Sequence, residues 1–438
     1  MMISADDVNA SAPVLVIGGG IAGLVCAIEL HRAGRAVTVL EQAADVGGRV
    51  RSSRVNGTTI DHGFQVLFTA YPTLNSYLDL GRLSLRPFQP AAHIVRDGRV
   101  SFIGDALRDP SLLLDTVLAR AVSIGDKLRM LALRRFAQQL SIDDCFAARF
   151  DAVSTREYLR SRGFGESTID GFFAPFYGGI LLDRSLSTSA SALLFTFKML
   201  AEGSTAVPAQ GMGAISAQLA AQLPAGTICC GVGVRALLVD GGRVRGVTLA
   251  DGTSLAATQV VLATDPHAAA ELAHTAGVLL TVPTGSHGCA TVYYLSATSS
   301  LPGKALWLNA NPQAVVSHAI TLTDVAPEYA PPGTSLLAAT AVGKAAQLDD
   351  AALDTATRRE LAQMAQAAGH TAGDMNRLAI WRVPYAQFAQ PPGWRDHRPT
   401  IGCGVHGLWR ASEFLHSSSL EGAARGGQSA ARALLQAS

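Results

Sequence analysis

The sequence predicts an α/β protein in which a Rossmann-like, doubly wound nucleotide-binding sheet is interleaved with a second domain of mixed sheet and helices. Three observations carry that expectation. The chain begins with a strand, a glycine turn, a helix and a second strand; its middle is helical; and strand patterns return after it. At 438 residues the chain is too long for one ordinary core, so two domains are expected.

Val14-Leu15-Val16-Ile17 is a short, wholly apolar run, as a parallel strand buried on both faces requires. Gly18-Gly19-Gly20 breaks it, Ile21 to Ala33 has helical spacing, and Gly34 suits the residue just past a helix end. Ala36 to Leu40 is a second buried strand that ends at Glu41. From about Ser101 to Gly203 the pattern is helical, with apolar stripes in 112–121, 127–140 and 190–201. Ile228–Val239 and Arg243–Leu249 read as strands joined by Asp240-Gly241-Gly242, a hairpin signal. Val260–Ala263, Cys289–Leu295 and Ser335–Val342 read as further strands, and Leu420 to Gln436 as an Ala-rich terminal helix. The nucleotide domain is therefore expected from residues 1–85, 205–270 and 395–438. The rest, 86–204 and 271–394, forms the substrate domain.

A formal charge of +1 offers no clustered cations for a nucleic-acid partner. The six cysteines form no CxxC pair and no metal-ligand spacing, so free thiols in a reducing compartment and no metal site are expected. Met1 to Pro13 is polar and acidic (Asp6, Asp7), unlike a signal peptide, and no stretch approaches the ~20 apolar residues of a spanning helix. A cytoplasmic protein is expected. Leu112–Leu140 mixes Leu and Ala with Arg120, Lys127, Arg129, Arg134 and Arg135. Peripheral membrane contact there stays open beside the plainer reading, a helix pair that closes the substrate domain.

The chemistry lies in short motifs. In Gly18-x-Gly20-x-x-Gly23 the first glycine permits a tight turn, the second lets backbone approach a pyrophosphate, and the third lets helix pack on strand. The helix N-terminus then faces the phosphates with free N–H groups. Glu41 stands near the spacing expected of the acid that binds a ribose hydroxyl, and its charge disfavours a 2′-phosphate. Gly47-Gly48-Arg49 follows, with Arg49 as a fork for phosphate.

Together the run VLVIGGGIAGLVCAIELHRAGRAVTVLEQAADVGGRVRS resembles the FAD fingerprint of the flavin amine-oxidase, phytoene-desaturase and protoporphyrinogen-oxidase superfamily. Asp61-His62-Gly63-Phe64 resembles the family's D-x-G segment beneath the flavin. ICCGVGVRAL resembles the strand whose valine, here Val234, meets adenine through its backbone. GLWRASEF followed by SSSLEGAARGGQSAARALL resembles the terminal flavin motif, with Ser412 where the family usually has Gly. The resemblance implies noncovalent FAD, with Ile21, Ala22, Gln42 and Ala263 also on the cofactor wall. It implies Glu413 at the ribityl or pyrophosphate end, and the helix start near Leu420 at the flavin N1–C2=O edge.

Phe173–Gly179, Leu186–Ser189 and Pro208–Gly213 look like substrate-domain segments of the desaturase-like members. That implies hydride transfer to flavin from a C–C or C–N bond of a largely apolar small molecule. Amine oxidation is the alternative. Such enzymes place a lysine near the flavin from a substrate-domain strand, and Gly288–Leu295 holds none. A non-redox isomerase or an inactive FAD binder are further alternatives. Tyr177, Tyr294, Trp381 and Tyr385 are expected to line the substrate space, and no catalytic side chain stands out, because flavin itself takes the hydride. Oxygen, a quinone or another protein are equally open as electron acceptor.

Overall fold

The computed structural model describes residues 12–119 and 122–437; the acidic N-terminal stretch up to Ser11 and Arg120 lie outside them. The chain opens with β1 (Val14–Ile17), α1 (Ile21–Arg32) and β2 (Val37–Glu41). All four residues of β1 are buried, which explains why the run is apolar without alternation. Burying each such side chain contributes about 1.5–3 kcal/mol. Next come a hairpin of β3 (Ala91–Arg96) and β4 (Arg99–Gly104), then helices that include α2 (Ile124–Gln139), α3 (Ala174–Ile180) and α4 (Ala190–Glu202). The short strands β5 (Ile228–Cys230) and β6 (Val260–Leu262) return to the first sheet. They are followed by β7 (Ser286–Ser296), β8 (Leu306–Asn309), β9 (Val316–Thr321) and β10 (Ser335–Val342). The chain closes with α5 (Asp350–Ala367), β11 (Asn376–Phe388), β12 (Leu408–Arg410) and α6 (Leu420–Ala437).

Two sheets organise these elements. The first is parallel, in the order β5-β2-β1-β6-β12, so its strands come from three separate stretches of chain. Helices α1 and α6 pack on each other at van der Waals limits: a Cβ on Gly427 of α6 would stand 2.2 Å from the Ala22 carbonyl oxygen of α1. The second sheet has seven strands in the order β11-β7-β10-β9-β8-β3-β4, antiparallel except where β8 meets β3. Its strands alternate their faces. Val292, Tyr294, Leu337 and Ala339 pack with Leu353, Leu361 and Met364 of α5, whereas Tyr293, Ile320, Ala338 and Leu308 join the core shared with the helices and the first sheet.

Three details differ from the sequence expectation. Residues 101–104 are strand, paired to β3 across Asp97-Gly98, both at positive φ. The expected strand Ile228–Val239 is two pieces: β5 ends at Cys230, and Val234–Asp240 belongs to a separate three-stranded sheet with Arg243–Leu249. Gly231, at φ +75, makes the break. Finally, the apolar residues of 113–118 do not close a domain, because Leu113, Leu114, Val117 and Leu118 are all exposed. No described helix is long and apolar enough to cross a membrane.

Candidate functional site

A cavity of about 1040 Å³ lies between the C-terminal ends of β1, β2 and β6 and the inner face of the seven-stranded sheet. That is the crevice where open α/β sheets bind ligands. At its nucleotide end, Gly18 turns at φ +110, and a Cβ on Gly23 would stand 2.0 Å from the Gly18 carbonyl oxygen. Only glycine lets α1 start this close to β1. Gly20 is the helix N-cap and carries no capping side chain. The first N–H groups of α1 have no partner within the helix, and Ile21 and Ala22 line the cavity.

Glu41 ends β2 almost buried. Its Oε2 accepts from the Gly19 N–H (2.7 Å) and its Oε1 from the Ala43 N–H (2.8 Å). The acid is thereby tied to the glycine turn, and each oxygen keeps a lone pair for a ligand hydroxyl. Gln42 and Val234 stand beside it on the wall.

Farther along, Arg49 Nη2 meets Glu413 Oε1 at 2.6 Å while Nη1 donates to the Ala386 carbonyl at 2.9 Å. The expected phosphate fork is thus engaged with protein. Burial pushes the Glu413 carboxyl up, but Arg49 overrides it and holds the group below the usual carboxylate range. Ser412 donates to Glu413 Oε2 at 3.1 Å from extended backbone (φ −158), so its side chain is used rather than crowded out. The N-terminus of α6 also reaches the wall, through Ser419, Leu420 and Ala423. Glu421 turns away and accepts from the Thr73 and Leu74 N–H groups.

The segment after Asp61 joins the two ends. Asp61 sits behind the wall, accepting from Ser52 Oγ (2.5 Å), the Met212 N–H (2.8 Å) and Tyr329 Oη (2.8 Å); burial still raises its pKa. His62 stacks on Trp381 with ring centroids 3.7 Å apart, and burial, then Arg51, push its pKa down to about 4. Gly63 lines the cavity, and the Phe64 N–H donates to Thr291 Oγ1 at 3.2 Å.

Thr291 belongs to a row that crosses the sheet. Trp381 of β11, Thr291 of β7, Thr340 of β10, His318 of β9 and Leu308 of β8 lie directly opposite one another in register. Cys289, one pleat from Thr291, also reaches the cavity; burial pushes its thiol up to about 11. Of this row Trp381 and His318 line the cavity, as do Phe68, Tyr71, Phe176, Ile180, Leu182 and Phe195.

Of the residues expected at the site, Gly18, Gly20, Ile21, Ala22, Glu41, Gln42, Gly48, Arg49, Gly63, Phe64, Val234, Ala263, Ser412, Glu413, Leu420, Trp381 and Tyr385 line this one cavity. Gly23 lies behind it, in the helix–turn contact. Tyr177 and Tyr294 do not belong to it. Tyr177 follows Phe176 on α3, about 100° round the helix, and packs among Phe173 and Phe197. Tyr294 lies on the other face of β7 from Tyr293, where its hydroxyl bonds Asp354 at 2.7 Å. Sequence reasoning missed Cys289, His318 and the aromatic lining residues Phe68, Tyr71, Phe176 and Phe195. Alternation along β7 puts Cys289 on the face opposite to Tyr294, and Cys289 is the residue of that strand that lines the cavity.

A family model described as flavin containing amine oxidoreductase matches residues 21–435. The chain belongs to this family. Protoporphyrinogen oxidase 2, chloroplastic/mitochondrial, of Arabidopsis thaliana is 31% identical over 170 residues, 38% of this chain and 32% of that protein. The L-amino-acid oxidase of Trimeresurus stejnegeri is 30% identical over 159 residues, 34% of this chain and 31% of its own. The matched part thus spans about a third of the length of these curated relatives. Among solved structures, cyclohexylamine oxidase from Brevibacterium oxydans IH-35A shares the fold with a TM-score of 0.67 at 18% identity, over 97% of this chain and 99% of that one. FAD is the cofactor that goes with family membership. The wall fits it: an uncapped helix N-terminus for the pyrophosphate, a hydrogen-bonding acid at the end of β2, and open space beside Gly20.

Proposed function

We propose that the chain is an FAD-dependent oxidoreductase that removes hydrogen from a C–C or C–N bond of a largely apolar small molecule, with FAD held noncovalently. Residues 1–85, 205–270 and 395–438 make its FAD domain, and 86–204 and 271–394 its substrate domain. One observation carries the reading: among the described residues no lysine lines the cavity, and its carboxylates stand on the side of the parallel sheet, Glu41 at the end of β2, Asp265 and Glu413 three residues past β6 and β12, and Glu271 in the helix Pro266–His274 that follows β6. A cationic substrate at the aromatic end would lack a partner charge, whereas an apolar one fills it.

FAD, once bound, supplies the hydride acceptor. Glu41 anchors the ribose, and the N-terminus of α1 takes the pyrophosphate. The positive end of α6, capped by Ser419 accepting from the Gly422 N–H at 2.9 Å, favours the negative charge of the reduced state. The Thr291 bond to Phe64 and the His62–Trp381 stack hold the wall on which substrate rests. Cys289 stays a neutral thiol at neutral pH and adds no charge there.

Amine oxidation is the second reading, favoured by Trp381 and Tyr385 on the same wall. Anaerobic addition of substrates separates the two: flavin bands that bleach with polyene or tetrapyrrole precursors support the first, and bleaching by amines alone the second. Turnover without bleaching would move the assignment to an isomerase. We also assign a membrane-facing role to the exposed apolar residues of 113–128.

A further inference from the structure

We propose that His318 is the polar anchor of the substrate end, and that the substrate is an apolar molecule carrying one hydroxyl that hydrogen-bonds its imidazole. The proposal rests on the apolar-substrate reading above and names the polar group such a substrate carries.

His318 lies in the middle of the floor, 4% exposed, on the cavity wall. Neither ring nitrogen has a hydrogen-bond partner among the described residues. Buried imidazoles are ordinarily bonded, because an unmade hydrogen bond in the interior is costly. Among the neighbouring polar groups, Ser317 Oγ and Arg184 Nη1 are likewise without a partner among the described residues, and others are committed elsewhere. Thr340 Oγ1 pairs with Thr291 Oγ1 at 3.1 Å, and Arg184 Nη2 donates to the carbonyls of Asn309 (2.9 Å) and Asn311 (3.1 Å). The Phe64 ring lies 5.2 Å away, and Gly179 of α3 comes so close that a Cβ there would stand 2.9 Å from Nδ1. A histidine that served packing alone would spend its nitrogens on one of these neighbours. This one leaves both without a partner while the residue lines a cavity.

The ring's protonation narrows the partner. Burial, then the charge of Arg184, push its pKa down to about 4, so at neutral pH it offers one N–H donor and one lone pair. A hydroxyl both donates and accepts, and therefore satisfies either nitrogen in either tautomer. A carboxylate can use only the N–H. An ammonium can use only the lone pair.

The test uses the FAD-loaded protein and three probes of one shape: naphthalene, 2-naphthol and 2-naphthoate. Binding is read as perturbation of the visible flavin absorption. 2-Naphthol is expected to half-saturate at about a tenth of the naphthalene concentration. His318→Leu should raise the 2-naphthol midpoint about tenfold and leave that of naphthalene in place. His318→Phe should do the same if the leucine variant fails to load FAD. His318→Gln, which keeps a donor and an acceptor, should retain the preference. Equal midpoints in the unaltered protein, a preference that survives His318→Leu or His318→Phe, or tighter binding of 2-naphthoate would each overturn the assignment of His318 while leaving the apolar cavity intact. If none of the three probes perturbs the flavin, the apolar-substrate reading falls, and this proposal with it.

Discussion

At the nucleotide end of the cavity, Gly18, Gly20 and Gly23 fall within a single turn and helix start, and Glu41 bonds back to Gly19 from the next strand. At the sheet end, Trp381, Thr291, Thr340, His318 and Leu308 stand side by side on five different strands. The first end suits a ligand whose phosphates and ribose need backbone N–H groups and one acid, and a short run of sequence can supply those. The second end is made by register. There a slip of one residue in one strand would send His318 or Thr291 to the opposite face. Local motifs and long-range pairing thus build the two halves of one cavity.

The largest expected effect breaks the local half. Gly23→Val places a Cβ about where Gly18 backbone already stands (2.0 Å for the ideal position), and backbone cannot yield as a side chain can. The variant should purify without flavin, read as the ratio of visible to protein absorbance. A yellow Gly23→Val protein would show that the close turn is dispensable.

Next comes the pair that ties the local half to the sheet, Arg49 with Glu413 and the Ala386 carbonyl of β11. Glu413→Gln leaves Arg49 without its counter-charge. The cost should be about 3 kcal/mol, toward the lower end for a buried pair because about a third of the Arg49 side chain remains exposed. Thermal unfolding of the holoprotein at pH 7 reads it. The pH dependence has a definite sign. The folded carboxyl has the lower pKa, so its contribution is present above the ordinary carboxylate value of about 4.3 and fades as pH falls through the folded value. The gap between native protein and variant should therefore narrow only below about pH 4. A gap that closed between pH 7 and 5 would assign the stabilisation to another group.

The same contrast explains what was legible in the sequence. The glycine fingerprint, Glu41 and the terminal motif could be read because their spacing is dictated by bonds between near neighbours. The hairpin at Asp97-Gly98 carried the same kind of signal as Asp240-Gly241-Gly242, but an expected helical region starting near Ser101 obscured it. The split after Cys230 was hidden because apolar residues flank it, and the turn is marked only by Gly231 and Gly233, of which Gly231 takes the positive φ. His318 was not legible at all. Its place depends on β9 pairing with both β8 and β10, with an irregular register between Val316 and His318. The pairing of Arg49 with Glu413 likewise joins residues 364 positions apart.

A smaller effect sharpens the local half. Glu41→Ala removes the acceptor of the Gly19 and Ala43 N–H groups and the proposed ribose partner. FAD affinity should fall by about 2 kcal/mol, roughly 30-fold, as measured by equilibrium titration of apoprotein. Glu41→Gln, which keeps one acceptor oxygen, should recover part of it. Unchanged affinity in Glu41→Ala would remove Glu41 from the cofactor and leave it a purely structural clasp on the turn.

The smallest effect on the fold is expected outside the cavity. Leu113, Leu114, Val117, Leu118, Ile124 and Leu128 are each more than half exposed, a concentration of large apolar side chains that a protein free in water rarely keeps. The nearby cations are partly engaged: Lys127 bonds the carbonyls of Val117 and Ala119, and Arg129 bonds Asp126. Apolar contact, more than charge, should then drive binding to a bilayer surface. The double variant Leu114→Glu with Leu118→Glu should change unfolding stability by no more than about 0.5 kcal/mol, because neither side chain is buried. The unaltered protein should sediment with vesicles of phosphatidylcholine as well as with anionic ones, and the variant with neither. Sedimentation with anionic vesicles alone, undiminished in the variant, would transfer the contact from the leucines to the cations. In that case this face, like the sheet floor, would be defined by how distant residues come together and not by the local apolar stripe.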